Sequence, residues 1–241
     1  EEMFQKLAEQ RGATHVIKDQ LPTIFHHKNH PPGEIQQAVR DALAAYVATL
    51  PSAYHSLVGR YELRDAAIKV VGVGSVGTAC WVLLFMAGDA DPLFLQVKEA
   101  RASVLEPYAG KSVFPNHGQR VVDGYRRMQP ASDMLLGWSR GPRRDYFIRQ
   151  LRDMKISPLV ETFGPVEMDS YAGWCGRALA LSHARSGNSA MISGYMGKSD
   201  VFDKALAAFS KAYADQNAKD HAALDRAIRK GTVKAAFEEE K

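Results

Sequence analysis

Between Val70 and Gly88 the chain runs nineteen residues without a charge, and Gly72, Gly74, Gly77 and Gly88 fall within them. A membrane-spanning helix needs about 20 apolar residues, but each glycine in a helix interior costs about 1 kcal/mol relative to alanine. Three of the glycines crowd the first half of the stretch. The second half, Thr78–Met86, is rich in β-branched and aromatic residues. The stretch therefore reads as two buried strands joined by a glycine turn, not as a membrane span.

The neighbouring sequence extends that pattern. Ile68–Val71 supplies the first strand, Thr78–Met86 the second, and Pro92–Lys98 alternates apolar and polar residues as a third. Residues 116–128 place Val121, Val122, Tyr125 and Met128 at helical spacing. Met134–Ser139 and Arg144–Leu151 are two further strands around the turn Arg140-Gly141-Pro142. The order strand, strand, strand, helix, strand, strand predicts an α+β chain with a small antiparallel five-stranded sheet and one packed helix.

The flanks read as helical. Residues 2–10 form a short helix, and residues 15–32, with Pro22, Pro31 and Pro32, an irregular connection. Residues 34–50 carry Ile35, Val39, Leu43, Tyr46, Val47 and Leu50 on a helical stripe closed by Pro51. After a polar connector at 152–158, helices are predicted at 166–183, at Val201–Gln216 behind a Ser199/Asp200 cap, and at Asp220–Arg229. Glu238 to Lys241 is a solvated tail. Three parts follow: a helical segment over 1–60, a sheet domain over 61–156 and a helical region over 157–241.

Charge narrows the choice of partner. Lys and Arg total 31 and Asp and Glu 27, a net charge of +4 without the basic, aromatic-interleaved stripe of a nucleic-acid binder. Neither nucleic acid nor a membrane is an expected partner, whereas a local pocket for anionic phosphates is compatible. Cys80 and Cys175 are the two cysteines, too few for a disulfide framework or a cysteine-based zinc site, and they suit a reducing compartment. The start, Glu1-Glu2-Met3-Phe4, has neither a basic n-region nor an apolar h-region, so a cytoplasmic location is expected. It also lacks an initiator methionine, so a processed product or a piece of a longer chain is expected.

Gly72-Val73-Gly74-Ser75-Val76-Gly77 fits GxGxxG, a pattern with two phosphate-binding meanings. In a Rossmann unit the glycines open a helix and an acidic residue follows about 20 positions on. Here a strand follows, and the residue at that distance is Lys98. In a protein kinase the glycines form a hairpin turn over the ATP phosphates, and a lysine on the third strand pairs with the α- and β-phosphates. Leu93 to Lys98 supplies that strand and that lysine. A carboxylate should hold the lysine in place; Glu106 is the nearest downstream candidate, because Glu99 would point to the opposite face of the strand. The bland alternative is a tight hairpin with no ligand.

On the kinase reading, the connector at 151–157 is the hinge that would meet an adenine, while Arg149 and Arg152 read as surface or salt-bridged residues. His26, His27 and His30 lack HExxH spacing and an acidic partner nearby, so they read as solvated and no metal site is assigned. Gly197-Lys198-Ser199 is not a Walker A end, since Ile192 stands where that loop needs glycine. His183 and Arg185 lie where a kinase would place its HRDxxxxN loop, with Arg185 in the position of the aspartate. His183 reads equally as a core histidine or a phosphate or acceptor contact, and Arg185 as a phosphate ligand or a helix-end cap.

The runs VVGVGSVGT (70–78), DPLFLQVKEA (91–100), GQRVV (118–122), RQLRDMK (149–155), LALSHARSG (179–187) and GYMGKSDVFD (194–203) resemble the bacterial domain-of-unknown-function family 2252. The resemblance spans roughly residues 15–232 and implies a protein-kinase-like fold. It also implies GDxHxxNFG and FDxxDFD segments, similar to catalytic and metal-binding loops, upstream of the glycine turn. Neither occurs in this sequence, so the chain resembles the C-terminal portion of a longer protein. Where the family often has aspartate this chain has Asn188, so no acidic role is assigned there.

The expected function is an ATP-binding, kinase-like phosphotransferase module with Gly72, Gly74, Ser75 and Gly77 over the phosphates, Lys98 on the α- and β-phosphates and Glu106 as its partner. ATP and Mg2+ are the expected cofactors, a small molecule or a protein the acceptor. An upstream segment or a partner chain would supply the missing acids. The rivals are a non-catalytic nucleotide-binding or regulatory module and a Rossmann-type oxidoreductase.

Overall fold

The computed structural model describes residues 2–26, 40, 42–72, 77–88, 90–129, 131–141, 143–151 and 158–235. The chain divides into two compact units, Glu1–Ser186 and Gly187–Lys241.

In the first unit, α1 (Glu2–Leu7) runs into a hairpin of β1 (Ala8–Arg11) and β2 (Thr14–Ile17), turned at Gly12 with φ of +63°. There follow β3 (Ile24–Phe25), a helix α2 over residues 42–47 and the short α3 (His55–Val58). The main strands are β4 (Glu62–Lys69), β5 (Cys80–Ala87) and β6 (Asp91–Ala100). A short α4 (Glu106–Ala109) and α5 (His117–Met128) lead to β7 (Gly137–Arg140) and β8 (Asp145–Gln150), and α6 (Pro165–Ser186) closes the unit. The sheet order is β3-β4-β5-β6-β8-β7, antiparallel throughout.

Both faces of the sheet are covered, which explains the unbroken apolar run of β5. Val82, Leu84 and Met86, with Ala67 and Phe94, pack against Leu7, Ala8, Ile17 and Ile24 from α1 and the first three strands. On the opposite face Leu83, Phe85, Leu93, Leu95 and Ile148 meet Tyr46 and Leu50. Each such aliphatic side chain contributes about 1.5–3 kcal/mol by leaving water. Tyr46 is fully buried, and its hydroxyl donates to the Leu135 carbonyl at 2.5 Å, so the ring enters the core without an orphaned polar group.

Helix α5 packs on the first face at the other end, where Val122 meets Ala100, Phe147 and Leu136. Its start is fixed by Asn116, whose Oδ1 accepts from Gln119 N at 3.0 Å. Gly118, in the first turn, lies so close to β8 that a Cβ there would stand 2.1 Å from the Tyr146 carbonyl oxygen.

Several expectations are corrected. The sheet has six strands rather than five, and a separate two-stranded hairpin precedes it. Residues 8–10 belong to a strand, and part of the supposed irregular connection forms β2 and β3. These strands have four and two residues, too short to develop a period-two signal. β4 ends at Lys69, so Val70 and Val71 lie beyond it. Met128, assigned to the buried face of α5, is exposed because the helix ends there. Residues 34–39, His27, His30, the connector 152–157 and the tail 238–241 lie outside the described residues.

The second unit comprises α7 (Ser189–Met196) and α8 (Val201–Arg229). Asn188 caps α7, its Oδ1 accepting from Met191 N at 3.0 Å. The two helices predicted over 201–229 are one: no Gly or Pro interrupts residues 216–220, and Gln216 Nε2 donates to Asp220 Oδ1 at 2.8 Å across the expected gap. Asp200 holds the N-cap position without a capping hydrogen bond and pairs with Lys204 at 2.7 Å instead.

Candidate functional site

Antiparallel register decides which side chains share a face. Ala67 pairs with Val82, Val82 with Gln96, and Gln96 with Arg149, which places these four in one row across β4, β5, β6 and β8. The next row holds Cys80, Lys98 and Phe147. Lys69, two residues beyond Ala67, joins it on the same face. Lys69 is the last residue before the glycine-rich connection and Cys80 the first strand residue after it. The row therefore lies at the mouth of that connection.

Three cations converge there. Burial pushes the Cys80 thiol up, and the charges of Lys98, Lys69 and Arg149 each work against that rise, as does the hydrogen bond from Gln96 Nε2 at 3.5 Å. Gln96 is buried, and its Oε1 accepts from Arg149 Nε at 3.2 Å and Nη2 at 3.1 Å, which aims the guanidinium along the sheet. Among the described residues the ammonium groups of Lys69 and Lys98 make no hydrogen bond or ion pair. A half-buried cluster of like charge raises its own energy and is relieved by an anion.

Glu99, on the other face of β6, secures the far end of the glycine-rich connection. Its carboxylate accepts from Ala79 N at 2.9 Å, Arg101 Nε at 2.6 Å and Arg144 Nη1 at 2.8 Å. Arg101 also donates through Nη2 to the Gly77 carbonyl. Burial works to raise the Glu99 carboxyl, but the Arg101 hydrogen bond and the other partners outweigh it and hold it below the ordinary range. Gly77 has a φ of +76°, a conformation that side chains rarely adopt, and so marks a real turn.

The remaining sequence candidates fall in different places. Gly72 is exposed with open space around it, while Gly74 and Ser75 lie outside the described residues. Glu106 opens α4 and accepts from Ser103 N at 3.4 Å; among the described residues no ion pair joins it to Lys98. His183 and Arg185 lie exposed in the last turn of α6, which removes the core reading of His183. Lys69 and Gln96 were missed by motif reasoning, and Arg149 was read as a surface or salt-bridged residue. Counting in twos along β4 from Ala67, the register partner of Val82, finds the first, and cross-strand register finds the others.

His26 requires a correction. Its Nδ1 lies 2.8 Å from Asp19 Oδ1 and its Nε2 3.1 Å from Asp65 Oδ2, so this ring has two acidic partners rather than none. The Asp65 hydrogen bond, with Asp19 in support, pushes His26 up to about 9 against partial burial. Asp65 is 39 positions away in sequence and reaches the ring through the pairing of β3 with β4.

Among the described residues no group of three His, Cys, Asp or Glu side chains is placed to hold a metal ion, and no helix is long and apolar enough to cross a membrane. No curated protein and no solved structure matches the chain. A family described as uncharacterized proteins conserved in bacteria, DUF2252, matches residues 1–227. With nearly its whole length inside that match, the chain belongs to the DUF2252 family.

Proposed function

We propose that this chain is a cytoplasmic, ATP-binding, kinase-like module that seats a nucleotide triphosphate on the face formed by Lys69, Lys98 and Arg149. The observation that carries the reading is the convergence of these three cations from three strands beside a glycine-rich connection. The strand order β4-β5-β6-β8-β7, with α5 between β6 and β7, supports it, because the small lobe of a protein kinase follows the same succession. Two free cysteines support the reducing location.

In this reading Lys98 neutralises the α- and β-phosphates, Lys69 and Arg149 extend the positive surface along the phosphate tail, and Gln96 fixes the direction of Arg149. The glycines of the 72–77 motif leave their peptide N–H groups unshielded by side chains, which suits donation to anionic oxygens. The nucleotide fits this donor set. Mg2+ does not, since among the described residues no group of three acidic or other metal-ligating side chains is assembled for it. Phosphoryl transfer to a small-molecule or protein acceptor then requires acids from an upstream segment or a partner chain.

A second reading, binding without transfer, is favoured by the engagement of the nearby acids. Glu99 is held by Arg101 and Arg144, Asp145 by Arg140 and Asn116, and Glu106 by its own helix start. Phosphate transfer to any acceptor by the purified chain would exclude that second reading.

Calorimetric titration with ATP, with and without Mg2+, tests the seat itself. Lys98→Ala is expected to weaken binding about tenfold or more, the loss of one charge-assisted contact. Equal affinity in the wild type and the variant would overturn the Lys98 assignment.

A further inference from the structure

We infer that the first unit carries a second anion site, separate from the proposed nucleotide seat, that takes a phosphate monoester. It is a cavity of about 500 Å³ between the end of β6, the first turn of α5 and the β7–β8 turn. Four guanidiniums, those of Arg101, Arg140, Arg143 and Arg144, line it against two carboxylates, Glu99 and Asp145, leaving a lining charge of +2 before His117 is counted.

The carboxylates act as posts that orient the arginines. Glu99 holds Arg101 at 2.6 Å and Arg144 at 2.8 Å, while Asp145 holds Arg140 Nε at 2.9 Å. Asp145 is itself fixed by His117 N at 2.8 Å and Asn116 Nδ2 at 3.2 Å, and its carboxyl lies below the ordinary range because these donors and Arg140 outweigh burial. Each guanidinium has five N–H donors, and the partners of Arg101, Arg140 and Arg144 among the described residues use a minority of them. Arg143 has no ion-pair or hydrogen-bond partner among the described residues.

Two carboxylates balance two of the four guanidinium charges, so two positive charges on the lining are left uncompensated. A dianionic phosphate matches that surplus, since guanidinium forks bind it bidentately and each of its three terminal oxygens accepts several donors. Lys69, Lys98 and Arg149 are not among the residues lining this cavity, so the site and the nucleotide seat do not share their charged groups.

Titration calorimetry with phenyl phosphate, on the wild type and on Lys98→Ala, reads the site directly. Saturable binding of equal strength in both is expected, with a loss of about tenfold in Arg143→Gln/Arg144→Gln. Arg143→Gln alone, which disturbs no partner, should weaken binding in part without moving the thermal midpoint. A phosphotyrosine peptide binding at least tenfold tighter than phenyl phosphate would assign a phosphorylated protein as the source, and equal affinities a free phosphate ester. Absence of saturable binding, or binding that the double substitution leaves intact, would overturn the inference whatever the fate of the ATP seat.

Discussion

Lys98 stands directly opposite Cys80 in the β5–β6 ladder, so an ammonium and a buried thiol share one face of the sheet beside the glycine-rich connection. Burial raises the thiol and Lys98 opposes that rise, but access decides its chemistry. Cys175, on α6, is exposed. A maleimide is therefore expected to label Cys175 within minutes in the native protein and Cys80 only through opening of the sheet. If the nucleotide seat is as proposed, ATP slows the second reaction and leaves the first unchanged. Mass spectrometry of the labelled peptides separates the two, and rapid native labelling of Cys80 would contradict the burial.

Two glycines of α5 should respond in opposite directions to alanine. At Gly118 a new Cβ would meet the Tyr146 carbonyl oxygen at 2.1 Å and its carbon at 2.6 Å, both backbone atoms of β8. Relief requires the helix start to move off the sheet, and a loss of about 3 kcal/mol is expected. At Gly124 nothing lies within 4 Å, so alanine supplies helix propensity without a clash and stabilises by about 0.5–1 kcal/mol. Urea denaturation of the two variants checks both signs.

The same contrast marks where sequence reasoning succeeds. The strands β5 and β6 and helix α5 were legible because each is long and carries a strong apolar signal, whereas the first strand was placed at 68–71 and meets the true β4 only at Ile68 and Lys69. β3 was not, because two residues carry no period and its place depends on pairing with Ile68 and Lys69 some forty positions on. The site divides in the same way. Lys98 was reached by its distance from a motif, whereas Lys69 and Arg149 have meaning only once register sets them on the face of Lys98. Asp65 beside His26 is a tertiary fact that no spacing rule contains.

That His26–Asp65 contact sets a pH dependence. The ring titrates at about 9 in the folded chain and near 6.5 when free, so the protonated ring stabilises the fold fully below about pH 6.5. The contribution is lost as pH rises through about 9. Because the His26 side chain is 36% exposed, solvent screening limits it to about 1 kcal/mol. The Asp65 carboxyl, held low by His26 and by Ile17 N against the effect of burial, contributes in the opposite window and loses its part as pH falls through its lowered value. Thermal midpoints should therefore decline between pH 7 and pH 10 in the wild type, and the His26→Gln variant should show a flatter profile over that range. A parallel decline in both would assign the pH dependence to other groups.

Glu99 offers the sharpest separation between holding the glycine-rich connection and touching a ligand. Its side chain is 5% exposed and takes the Ala79 amide and two arginines, one of which also reaches Gly77. Replacement by alanine strands a backbone donor and frees both guanidiniums, at an expected cost of about 2 kcal/mol. Glutamine keeps acceptor capacity for Ala79 N and should recover about half of that loss. Lys98 is untouched in either variant, so ATP affinity should fall about three- to tenfold in Glu99→Ala, through a loosened connection alone, and recover partly in Glu99→Gln. Arg101→Gln, which removes the bridge between Glu99 and Gly77 but leaves the Ala79 bond, should fall between them. If Glu99→Ala loses stability while ATP affinity stays at the wild-type value, the Gly77–Ala79 anchor has no part in holding the nucleotide, and the charge of Lys69, Lys98 and Arg149 suffices.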